Sequence, residues 1–119
     1  MEAHRGNHSA VVHAEVGGTP RSLPPAVTVC LVRTAREALT NAAKHAPHAA
    51  ITVRLDYHVD TVNLVVRNES VPEPAEGDRS ARPVGYGLTG MRERLALVGG
   101  QLTAAEKWGG WQVVAEVPA

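Results

Sequence analysis

The sequence predicts an α/β fold: a two-layer sandwich with one mixed β-sheet covered on one face by helices. Three observations predict it. The apolar period switches along the chain between strand-like alternation and helical steps, in the order β-α-β-β-loop-α-β-β. Hydrophobic residues make up 44% of 119 positions, enough for one core of domain size. Gly and Pro pairs punctuate the boundaries between these segments.

The first ten residues, MEAHRGNHSA, are polar and aperiodic and read as a flexible N-terminal arm (1–10) ahead of a single domain, 11–119. VVHAEV (Val11 to Val16) has a strand-like apolar bias that Gly17-Gly18 ends. Pro24 and Pro25 stand where a helix begins, since Pro is tolerated in the first turn. From Val27 to Ala46 there is neither Gly nor Pro, and Val32, Ala35, Leu39, Ala42 and Ala46 form an apolar stripe that stops at Pro47. ITVRLDY alternates, with Ile51, Val53, Leu55 and Tyr57 on one face, and VNLVVRN follows as its hairpin partner. Glu69 to Val84 is rich in Pro and charge and reads as a mobile loop, of a length that usually carries function. Leu88, Met91, Leu95 and Val98 give a second helical stripe, stopped by Gly99-Gly100. QLTAAEKW and WQVVAEVP are two further strands around Gly109-Gly110.

Composition narrows the function. Twelve basic residues balance twelve acidic ones, so bulk charge draws the chain neither to nucleic acid nor to a membrane. Phe is absent, which leaves the core to Val, Leu, Ile and Ala. The one cysteine, Cys30, lies in an apolar run and reads as a small buried hydrophobe. No apolar run approaches the ~20 residues of a membrane span, and no signal-peptide pattern opens the chain. A cytoplasmic setting is expected. His45 and His48 straddle Pro47, so they do not share a helix face and suggest no zinc site.

In REALTNAAKHA, Glu37 and Asn41 are one turn apart, Lys44 falls near the same line, and Arg33 and His45 flank it. A solvated helix face with an i,i+4 pair would show the same spacing. Asn is nevertheless a poor residue for a helix interior. The set also suits a nucleotide triphosphate with Mg²⁺: an amide oxygen ligates a hard cation, a carboxylate orients a proton or a water, and an ammonium pairs with phosphate. Downstream, Gly85 and Gly87 flank Tyr86 just before the second helix, where backbone N–H groups and positive potential favour an anion. A flexible joint before a helix has the same sequence. Arg92 and Arg94 lie in the first turns of that helix; either reaches phosphate or stays in solvent, and Arg94 reads as solvated.

REALTNAAKHA resembles the N-box of bacterial sensor histidine kinases. GYGLTGMRERLALVGGQL resembles their G-box, in the form typical of kinases that serve NarL-type response regulators, the NarL/DesK-like group. The intervening hairpin and the terminal GGWQVVAEVP also fit, so the resemblance runs from about Val11 to Pro118. It implies the GHKL ATP-binding fold, the HATPase_c domain, over 11–119. It further implies Glu37 as the acid that polarises the attacking group or a water, Asn41 as the Mg²⁺ ligand, and Lys44 with His45 on the phosphates. Gly85, Tyr86 and Gly87 would close over the triphosphate, with Leu88 and Met91 behind the nucleotide and Arg92 within reach of phosphate. Residues 69–84 would be the ATP lid. The implied activity is donation of the γ-phosphoryl group of Mg-ATP to a histidine on a separate dimerisation domain, and from there to an Asp of a response regulator. The parent kinase would be either soluble or membrane-anchored.

Two departures stand out. Asn68 occupies the place of the Asp that accepts a hydrogen bond from the adenine amino group, with no Gly after it, and an Asn oxygen accepts without charge assistance. Trp111 stands where a Thr is usual near the adenine, and core filling suits it better. No segment resembles a phosphoacceptor helix: His4 and His8 lie in the polar arm. Two rival readings therefore stay open, a standalone GHKL kinase of the anti-sigma type that phosphorylates Ser, and a degenerate interaction module.

The loop reading has a direct check. Amides of residues 69–84 are expected to exchange rapidly in the nucleotide-free chain by hydrogen-exchange mass spectrometry; strong protection there would contradict it.

Overall fold

The computed structural model describes residues 12–45, 48–69 and 88–119, and of His45 the backbone only. The arm, Gly85, Tyr86, Gly87 and loop positions 70–84 lie outside the described residues. The elements are β1 (Val12–Gly17), α1 (Pro25–His45), β2 (Ile51–Tyr57), β3 (Thr61–Asn68), α2 (Leu88–Ala96), β4 (Gln101–Lys107) and β5 (Gly110–Pro118). They build one mixed sheet of order β1-β2-β3-β5-β4. The expected order of elements and the two-layer α/β architecture both hold.

Each connection has a physical cause. β1 and β2 run parallel, a pairing that needs a crossover, and α1 supplies it. β2–β3 and β4–β5 are antiparallel hairpins, and β3–β5 closes the middle of the sheet. Alternation decides the faces. Val62, Leu64 and Val66 of β3 and Val113, Ala115 and Val117 of β5 are buried, while the residues between them are half-buried. The register aligns Leu55, Leu64, Ala115 and Leu102 in one row across four strands. α1 lies over β3 and β5, α2 over β4, and the two helices touch.

The opposite face is polar. There Arg54 bridges Glu15 at 2.8 Å and Asp56 at 2.9 Å. The hydrogen bonds to Asp56, then to Glu15, raise the Arg54 guanidinium pKa above its ordinary value. Gly17 makes this network possible, because a Cβ there would meet Asp56 Oδ1 at 2.2 Å.

α1 departs from the expected stripe. Its buried line is Val27, Cys30, Leu31, Thr34, Ala38 and Ala42, with Ala35 and Leu39 half-buried. Val32 is 45% exposed, and Ala46 lies outside the described residues. The reason is Thr34. Apolar periodicity passes over a Thr, yet its Oγ1 donates to the Cys30 carbonyl at 2.9 Å, so the hydroxyl enters the core already bonded. Cys30 is buried, as expected. α2 follows its predicted stripe through Leu88, Met91 and Leu95. It ends in a Schellman cap, with Gly100 N–H donating to Leu95 C=O at 2.7 Å and Gly99 N–H to Ala96 C=O at 3.0 Å, while Gly99 adopts φ 77°.

The β4–β5 turn is two residues long, Trp108 at φ 51° and Gly109 at φ 76°, the mirror-image turn that matches strand twist. Trp is an unusual occupant of positive φ. Arg67 on β3 holds it there, donating to the carbonyls of Lys107 at 2.8 Å and Trp108 at 3.1 Å. Gly110 allows that approach: a Cβ there would sit 2.4 Å from the Asn68 carbonyl oxygen and 2.6 Å from Arg67.

The two turn glycines should therefore differ. Gly109 has open space around it, so Gly109→Ala should cost only the left-handed backbone penalty, about 1–2 kcal/mol. Gly110→Ala should cost more, because backbone must move. Thermal melts by circular dichroism check the order.

Candidate functional site

Burying α1 on one line decides what its flank presents. Glu37 and Asn41 are half-buried, next to the buried Ala38 and Ala42, whereas Arg33 and Lys44 are exposed. The expected stripe thus divides in two. Its middle is tucked toward the protein, and its ends reach solvent. Asn41 takes part in a polar or ring interaction. Glu37 and Asn41, one turn apart, bring a carboxylate and an amide to the same flank.

That flank faces α2. Arg94 Nη2 donates to Glu37 Oε1 in a close charge-assisted ion pair across the two helices. This corrects the expectation that Arg94 is solvated: its side chain is 24% exposed, against 41% for Glu37. One feature places it there. Arg94 adjoins the buried Met91 and Leu95 on α2, so its stem starts at the protein surface. The Arg94 Nε is buried with no hydrogen-bond partner among the described residues. Sequence reading weighs Arg94 for phosphate or solvent and favours solvent; its place beside the apolar stripe was the available signal for its burial.

Arg92 turns the other way. It is exposed, and its Nε lies 3.4 Å from the Leu102 carbonyl on β4. Leu88 and Met91 are core residues, Met91 fully buried, and they form the packed layer under α2. Of His45 the side chain, and of Gly85, Tyr86 and Gly87 everything, lies outside the described residues.

The far end of the site is the end of β3. Asn68 is its last residue, 3% exposed, in register with Ile51 and Trp111 and on the helix-covered face. Trp111 is half-buried against the core, as its sequence position suggested, and takes part in a further polar or ring contact. Asn68 and Thr34 are the buried polar side chains of the described core. Thr34 is explained by its own helix. Asn68 sits at a sheet end, where a buried amide offers both a donor and an acceptor.

Comparison with known proteins gives a consistent result. A family model described as histidine kinase-, DNA gyrase B- and HSP90-like ATPase matches residues 26–119. The sensor histidine kinase LnrJ of Bacillus subtilis is 32% identical over 111 residues, 92% of this chain and 26% of LnrJ. The signal transduction histidine-protein kinase/phosphatase DegS of the same organism is 33% identical over 97 residues, 81% of this chain and 25% of DegS. The chain thus spans about a quarter of the length of these curated relatives. The catalytic domain of histidine kinase ThkA superposes with a TM-score of 0.68 at 16% identity, covering 92% of this chain and 78% of that one, which is a likeness of fold.

Proposed function

Since this chain belongs to the family of histidine kinase-, DNA gyrase B- and HSP90-like ATPases, we propose that it binds Mg-ATP and passes the γ-phosphoryl group to a histidine on a separate dimerisation domain. A response regulator would receive the phosphate afterwards. The observation that supports this reading most directly is the half-buried pair Glu37 and Asn41 on the α1 flank, with Glu37 drawn toward α2 by Arg94.

The residues suit the ligand. Among the described residues, no three His, Cys, Asp or Glu side chains converge on one point. A cation here would take one amide oxygen from Asn41 and complete its shell from phosphate and water, the habit of Mg²⁺ rather than of zinc. When bound, Mg²⁺ neutralises charge on the transferring phosphates. The chain's own groups supply positioning. Glu37 accepts a proton from, or orients, the attacking group. Lys44, exposed on the last turn of α1, offers an ammonium to phosphate, with His45 beside it in sequence. Gly85, Tyr86 and Gly87 precede the α2 N-terminus, and their backbone would approach the triphosphate. At the far end, Asn68 accepts a hydrogen bond from the adenine amino group.

Two measurements test the reading. Asn41→Ala should lower ATP affinity in the presence of Mg²⁺ and leave the Mg²⁺-free value nearly unchanged, as read by titration calorimetry. Equal Mg²⁺ dependence in wild type and variant would overturn the assignment. Asn68→Asp should raise the ratio of ATP to GTP affinity, roughly tenfold if one neutral hydrogen bond becomes charge-assisted. A carboxylate repels the guanine carbonyl, whereas the Asn amide can donate to it.

A further inference from the structure

Arg94 has no role in the reading above, and the geometry points to one: we propose that Arg94 is the positioning residue for Glu37, holding its carboxylate at the α1–α2 interface for phosphoryl transfer. The inference rests on the proposed role of Glu37.

Three observations carry it. The ion pair crosses from α2 to α1, so it ties the orientation of Glu37 to the neighbouring helix and not to its own. It joins the stripe residue with the acid to an arginine whose stem begins between two buried residues, Met91 and Leu95, which limits its freedom. The pair is also unequally buried. Arg94 is the more enclosed partner and Glu37 remains 41% exposed, so the anchor is inside and the reactive group is still open to a substrate. Exposed ion pairs contribute little to stability.

An arginine fits this task better than a lysine. Its planar fork stays charged at any working pH and fixes the direction of a carboxylate, whereas an ammonium fixes only distance. Arg94 does not touch the transferring phosphate in this scheme. It acts by restricting the rotamers of Glu37 to those that face α2, and misplacement of a reacting group by about 1 Å can cost on the order of 100-fold in rate.

The test uses Arg94→Ala, Arg94→Lys and Glu37→Gln, each singly, and Arg94→Ala with Glu37→Gln together. Two quantities are read: the ATP dissociation constant of this chain, and the turnover of histidine phosphorylation in a polypeptide joining it to a phosphoacceptor dimerisation domain. Arg94→Ala should leave ATP affinity within about twofold and lower turnover by about 10- to 100-fold. Arg94→Lys should recover part of the loss, and it keeps the charge and stem if the alanine variant melts early. In the Glu37→Gln background, Arg94→Ala should change turnover no further, because the two residues act as one unit. Wild-type turnover in Arg94→Ala, or losses that simply multiply in the double variant, would overturn the inference. A parallel fall in affinity, turnover and melting temperature in both Arg94 variants would also overturn it, by marking the pair as structural. Full turnover in Glu37→Gln with intact ATP binding would instead overturn the role of Glu37 itself.

Discussion

The seating of α1 across β3 and β5 is the constraint on which the rest of the molecule depends. α1 supplies the crossover that makes β1 and β2 parallel, so the sheet order follows from it. It also buries the larger part of the helix-side core, from Val27 to Ala42. Once that line faces the sheet, the positions one step around the helix are determined. Glu37 and Asn41 become a half-buried flank, and Arg33 and Lys44 become exposed ends. Core packing thus brings Glu37 and Asn41 to one flank, and the Arg94 pair then acts on Glu37 from α2.

A second organising point lies at the end of β3. Arg67 donates to two turn carbonyls of the β4–β5 hairpin and also lies 3.4 Å from Glu69. The ring of Trp108, 80% exposed, rests near two cations, Arg67 at 5.9 Å and Lys107 at 4.8 Å. These contacts offset the unfavourable positive φ of Trp108 and keep the turn closed against β3. Gly110 permits the close approach, and the same approach sets the Asn68 backbone against β5. The strand end that carries Asn68 is therefore held from two sides, by the β2 register and by the hairpin turn.

Much of this was legible in the sequence because alternation and glycine placement are local signals. The hairpins, the α2 stripe and its glycine stop all follow from single segments, and the structure reproduces them. The failures have a common physical origin. Val32 was drawn into the α1 stripe because Thr34 looks polar, while its hydroxyl is satisfied four residues back and behaves as core. Arg94 looked solvated because its partner is 57 positions away in sequence, on a helix whose neighbour no periodicity reveals. Asn68 stands out by motif position alone; its burial depends on three strands meeting, which no single segment encodes. Side-chain burial of apolar residues is thus readable from pattern, whereas pairing between distant polar residues requires the packed helices.

The composition of α1 explains how that pairing becomes possible. The N-terminal half of the buried line is bulky, with Val27, Cys30 and Leu31, and the half that carries the site is small, with Thr34, Ala38 and Ala42. Small buried side chains let a helix settle closer to what it covers. The space beside them is taken by α2, whose buried residues are the large Leu88, Met91 and Leu95. Complementary sizes of this kind fill the interior without a single Phe. They also bring the α1 flank and the α2 flank within salt-bridge distance. The Glu37–Arg94 contact is then the polar edge of an apolar fit: the small residues bring the two flanks together, and Arg94 orients the acid across them.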